Sequence, residues 1–223
     1  MKSKLISLIE RTAIGRRLMK DHRFRMILFA VLNMGWNLTY AVFNGILGII
    51  YHSGWFAAMC AYYAVLGLLK LNIVNAEKKP SEQRPDRKNM LITGLGLLLL
   101  AVILAVIVTI TISDAVGKTY DIVVMISIAT FTFIVVGKAM VNAFQAHRKG
   151  NLLSIMLRNI SLASAVGSVL SLERSMLGTF GSSTDQFTYV MEGVSGLAGF
   201  IIVVLLGSSM IRFSVKASKD RSK

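Results

Sequence analysis

Asn33, Asn37, Tyr40 and Asn44 recur at intervals of four, three and four within an otherwise apolar stretch. At 3.6 residues per helical turn, that spacing puts all four on one face. Three amides and a phenol offer hydrogen bonds without charge, so such a face can wall a path for a polar solute. The same groups can equally bond helix to helix, a contact worth about 0.6 kcal/mol inside membranes. A second stripe runs by threes and fours through Ser161, Ser164, Ser168, Ser171 and Ser175, continuing the line of Ser154 and Arg158. Small residues at this interval let a neighbouring helix approach closely. Read as chemistry, they line a hydroxylated path.

Lys70, Lys138 and Arg158 are the cations set inside apolar segments. At 1.5 Å per residue they lie roughly 8, 6 and 9 Å from the same ends of their helices. Converging, they would form a site for an anionic solute or a lipid head group. Held in lipid without partners, each would cost about 2.5–3.5 kcal/mol. Long side chains that snorkel to the interface avoid that cost. Arg158 shares the polar face of the serine stripe, which favours a role in the path. Glu192 is the one carboxylate within an apolar segment, with Ser195, Gly196 and Gly199 on its side. It suits proton- or cation-coupled chemistry, or a structural pair with Arg174. Pairing with Arg158 is not expected, because the two lie toward opposite leaflets. Asp114, Asp121, Glu173 and Asp185 fall in the connections of that opposite side.

Signatures of catalysis are missing. The chain has no His-Glu-x-x-His zinc motif, no Gly-x-Ser-x-Gly elbow and no P-loop. His22, His52 and His147 fall in tails and loops on different sides, and no segment carries two acids for acid–base work. The single cysteine, Cys60, excludes an intrachain disulfide or a thiolate cluster and reads as a buried thiol. Neither an enzyme nor a cofactor is expected.

The segments that must position these groups are transmembrane helices. Of 223 residues, 54% are hydrophobic and 16% charged, and mean hydropathy is +0.63. Soluble proteins carry roughly 25% charged residues. Six runs reach the roughly 20 apolar residues a span needs: Met26–Tyr51, Gly54–Asn75, Asn89–Ile112, Asp121–Asn142, Leu152–Leu172 and Phe187–Ile211. They are continuous rather than alternating, which selects helices over barrel strands. His52, Ser53 and Gly54 leave a tight hairpin between the first two, followed by the interfacial aromatics Trp55 and Phe56. The expected fold is an all-α bundle of about six transmembrane helices over residues 26–211.

Lysine and arginine give the orientation. Of 25, 20 fall in the N-terminal segment 1–25, the connections after the second and fourth spans, or the tail 212–223. By the positive-inside rule both termini are cytoplasmic and the protein is multi-pass in the plasma membrane. The net charge of +14 is therefore explained by membrane sidedness, and nucleic acid is not expected as a partner. Leu5, Ile6, Ile9 and Ala13 share a face of a short amphipathic helix that would lie on the anionic lipids of the inner leaflet. The other reading of that segment is a frayed topology signal. Residues 77–88, with Pro80 and Pro85, and 177–186, rich in Gly, Ser and Thr, read as exposed loops. Gly67, Lys70 and Val74-Asn75-Ala76 are echoed by Gly137, Lys138 and Val141-Asn142-Ala143, at the spacing of a parallel repeat of hairpins.

Tyr40-Ala41-Val42-Phe43-Asn44-Gly45, then Ser53-Gly54-Trp55-Phe56 and Tyr62-Tyr63, resemble a pattern in small uncharacterised six-span membrane proteins of Gram-positive bacteria. The similarity is best over the first two spans and weaker over 161–177. It implies a bacterial plasma-membrane protein and brings no activity or site. Size and span count also resemble vitamin-binding subunits of energy-coupling transporters, without a shared motif. Two functions fit: a transporter or its solute-binding membrane subunit, for a small polar or anionic solute, or a scaffold, lipid-binding or regulatory protein. Either admits a second copy or transporter subunits as partners. The topology has its own test. In a Cys60→Ser background, Ser81→Cys should be labelled by an impermeant maleimide only after the cells are permeabilised. Ser183→Cys should be labelled on intact cells, and the reverse pattern refutes the orientation.

Overall fold

Lipid offers no water to a peptide group, so an apolar run inserted in it closes its own hydrogen bonds as a helix. The computed structural model describes residues 22–77, 86–113, 121–149, 152–180 and 186–219, almost all of them helical. Six helices result: α1 His22–Ile50, α2 Gly54–Glu77, α3 Asp86–Ser113, α4 Ile122–Lys149, α5 Leu152–Phe180 and α6 Gln186–Lys219. Each coincides with the corresponding expected span to within one residue or runs past it, α1 stopping one short at Ile50 and α4 starting one late at Ile122. The expected amphipathic segment, the proline-containing loop from residue 78 to 85 and the last residues of the tail lie outside the described residues. The loop expected from residue 177 is shorter than that, because α5 continues to Phe180. Glu173 is consequently a helix residue and not part of a connection.

Five helices hold a stretch long and apolar enough to cross a membrane, and α1 adds the shorter apolar stretch Met34–Ile50. What faces outward supports the same conclusion. Ile49, Leu68, Phe133 and Leu205 are each more than 60% exposed, while Asn37, Asn44, Lys70 and Ser164 are buried. A water-soluble protein does not expose apolar surface on this scale while burying its amides and an ammonium. The chain is an integral, multi-pass membrane protein.

The closest helix pairs are α1–α2, α3–α6 and α4–α5, with α2 and α5 joining them through the middle. The α1–α2 hairpin ends as a Schellman motif. Ser53 N–H donates to Gly48 O at 3.1 Å and His52 N–H points back toward Ile49 O at 3.5 Å. His52 sits there at φ 46°, a left-handed position that glycine usually takes. Ser53 then opens α2, its carbonyl accepting from Ala57 N–H at 3.2 Å. The core centres on Phe56, Met59, Tyr62, Tyr63 and Leu66 of α2, all fully buried, against Leu97 and Leu100 of α3 and Ile160 of α5. By contrast, α1 and α4 meet through rings. Phe131 stacks on Tyr40 at 3.4 Å between centroids and on Trp36 at 6.0 Å.

Helices α3 and α6 cross at glycine. A Cβ on Gly94 would lie 2.8 Å from Ile211 Cγ1 and 3.3 Å from the carbonyl of Gly207. Such contact between backbones drives helix association in membranes, where apolar burial supplies no force. Gly94→Val should therefore destabilise the detergent-solubilised protein by about 1–3 kcal/mol, read as a lower melting temperature. Gly35→Ala, into open space, should leave the temperature unchanged or slightly raised. Equal effects would contradict this crossing.

Candidate functional site

Four helices contribute to one cleft toward the end of the bundle that carries the chain termini. Trp36 and Asn37 come from α1, Lys70 from α2, Val135 and Lys138 from α4, and Ser161 and Ser164 from α5. The space between them admits about one water molecule. Lys70 is 3% exposed, and Lys138 Nζ stands 4.8 Å above the centre of the Trp36 ring. That geometry gives a cation–π attraction of about 0.5–2 kcal/mol. The one ion pair among the described residues lies elsewhere, so neither lysine has an acidic partner there. Ser164 Oγ donates to Asn37 Oδ1 at 3.4 Å, which leaves Asn37 Nδ2 buried and unpartnered. Asn142 Nδ2 donates to the cleft residue Ser161 through its Oγ at 2.6 Å. Two lysine amines and an unpartnered amide N–H thus face one space, with no acid among the described residues that line it.

Beyond the cleft stands an aromatic partition. Tyr40 lies flat on Phe131, and Tyr63 meets both edge-on, at 4.7 and 5.6 Å. Tyr62 Oη donates to Ala163 O at 2.7 Å, and Thr132 Oγ1 reaches Ser168 O at 2.9 Å. The Ser168 hydroxyl itself bonds Ala165 O within its own helix.

At the hairpin end, Trp55, Thr111, Glu173, Arg174, Glu192 and Ser195 line a second small pocket. Arg174 Nη1 is 3.4 and 3.5 Å from the two carboxylate oxygens of Glu192, and its guanidinium lies 5.4 Å over the Trp55 ring. Glu173 Oε1 is buried without a partner. Two carboxylates against one guanidinium give this pocket the opposite sign from the lysine cleft.

Of the residues singled out by sequence, Asn37, Lys70, Lys138 and Ser161 come together in the cleft. Tyr40 and Ser168 belong to the partition. Asn44 is buried, but its amide donates to Tyr40 O on its own helix at 2.8 Å, so it does not extend a wall. Arg158 does not join the lysines; it is partly buried, and its Nε donates to Asn159 Oδ1 at 3.3 Å. Of the roles open to Glu192, the pair with Arg174 is the one present. The side chain of Asn33 lies outside the described residues. Trp36, Asn142 and Tyr63 were not anticipated. Trp36 is half-exposed and carries no polar spacing signal, whereas Asn142 appeared only as part of the internal echo.

No protein-family model matches the chain, and no curated protein sequence matches it. The ion pair supplies a test of the hairpin-end geometry. Arg174→Met strands the Glu192 carboxylate and should lower stability by about 1–3 kcal/mol. Adding Glu192→Gln should restore much of that loss in a double-mutant cycle of melting temperatures. Additive effects would show that the pair does not interact.

Proposed function

We propose that this is a membrane transport protein, or the solute-binding membrane subunit of a transporter, whose cargo is a small anion. One observation carries the reading: Lys70 and Lys138 share a cleft with the unpartnered amide of Asn37 and no acid among the described residues. Two like charges in a medium of low dielectric repel each other and have given up their hydration. An anion bridging them offsets both costs and takes the free N–H as well. Charge of opposite sign at the two ends, with a ring partition between, suits a path closed at its middle. The sorting of 20 of the 25 lysines and arginines supports a plasma-membrane protein with both termini inside. On that topology the lysine cleft faces the cytoplasm, and the basic ends attract anionic lipid of the inner leaflet.

A scaffold is the second reading. It draws on the small size of the cleft and on hydrogen bonds that tie α5 to every other helix.

Proteoliposome uptake decides between them. Wild type should take up a labelled halide, carboxylate or phosphate. Lys70→Met and Lys138→Met should each lower uptake at least about tenfold, as loss of a charged hydrogen bond implies. Arg158→Ala should leave it within about twofold, a difference of under about 0.5 kcal/mol. Neither uptake nor binding across those anions would sink the transport reading and leave the scaffold.

A further inference from the structure

The lysine cleft is rich in donors and short of acceptors. Lys70 and Lys138 bring amino groups that, protonated, donate and do not accept. Asn37 brings an amide N–H without a partner. That residue is 2% exposed, and its amide is oriented because the oxygen accepts from Ser164 Oγ. Ser161 Oγ already accepts from Asn142 Nδ2, so its own hydrogen is left to donate. Donors thus reach one space from α1, α2, α4 and α5, each from a different side. Against them the lining holds no carboxylate, and its one amide oxygen is taken. A water placed there satisfies part of this set. It then needs acceptors for its own hydrogens, which the lining hardly supplies.

We propose that the cleft coordinates one monatomic anion, a halide stripped of its water, through Asn37, Lys70, Lys138 and Ser161. This rests on the small-anion reading of the cleft and narrows its cargo. Space sets the size. The cleft admits about one water molecule, and a halide is a single sphere of comparable bulk. A carboxylate or phosphate carries several heavy atoms and enters only if the helices part. Direction points the same way. A monatomic ion accepts from every side, so donors arriving from four helices all reach it. Carboxylates and phosphates are matched best by the paired N–H groups of a guanidinium, and Arg158 is turned toward Asn159 instead. Hydrogen bonds to an ion are roughly twice as strong as neutral ones, which offsets the lost hydration. The lysines draw the anion in; Asn37 and Ser161, held by Ser164 and Asn142, take the place of its water.

Trp36 lines the cleft and can report its occupancy. In the detergent-solubilised full chain, bromide added at constant ionic strength should quench tryptophan emission saturably. Trp55 lines the pocket at the other end, so Trp36→Phe should abolish the saturable part. Chloride should displace bromide, whereas acetate and phosphate should not, even at much higher concentration. Asn37→Leu removes the amide and should raise the bromide needed for half-quenching about tenfold. Asn37→Asp keeps the shape and an acceptor for Ser164, sets an acid against the lysines and should abolish the saturable quench. Bromide affinity unchanged in both variants overturns the proposal, as does a saturable quench that survives Trp36→Phe. Displacement by acetate or phosphate as readily as by chloride overturns it too, and leaves the broader anion reading intact. No saturable change in emission with any of these anions removes both.

Discussion

A polar group carried into lipid must find its partner inside the protein, and this requirement organises the bundle. Helix α5 meets it for all the others. Its Ser164 bonds Asn37 of α1, Ala163 O accepts from Tyr62 of α2, and Met156 Sδ accepts from Thr93 of α3 at 3.8 Å. Ser168 O accepts from Thr132 of α4, and Arg174 pairs with Glu192 of α6. Each bond is individually small, of the order of 0.6 kcal/mol. Together they fix the rotation of five helices about one axis, which apolar contact with lipid on the outside cannot do.

With those rotations set, the chemistry follows from what is left over. The groups that α5 satisfies are structural. The groups it approaches without satisfying are Asn37 Nδ2 near the lysines and the hydroxyls of Tyr40, Tyr63 and Ser171 in the partition. Both sets border the serine stripe. The stripe therefore does two things at once: its small side chains allow close packing, and their spacing keeps a line of hydrogen-bonding capacity in the interior. The two meanings that spacing alone left open are compatible.

The helices were legible because six predominantly apolar runs are long enough to span and nothing else in 223 residues competes with them. The ends were less so. Glu173 and Arg174 stopped the fifth run on paper, yet α5 carries both because Glu192 and the Trp55 ring receive the guanidinium. Rotation was half legible. The Asn37–Tyr40–Asn44 face does point inward, with all three buried, but spacing cannot show that Asn44 spends its amide on its own backbone. Lys70 and Lys138 share a depth and also a cleft; Arg158 shares the depth alone, turned toward Asn159. Trp36 was invisible as a ligand for Lys138, since a tryptophan among aliphatic residues gives no periodic signal.

The ring contact between α1 and α4 has a mechanical consequence. These two helices touch through Trp36, Tyr40 and Phe131 and lack the close backbone approach seen at Gly94. In water, parting such rings would expose apolar area and be resisted by solvent. In a bilayer, acyl chains simply replace one apolar neighbour with another, so separation forfeits dispersion contacts and the Lys138–Trp36 cation–π contact but meets no solvent penalty. This seam is therefore less firmly held than the glycine crossing of α3 and α6, and parting α1 from α4 would open the lysine cleft sideways into the leaflet.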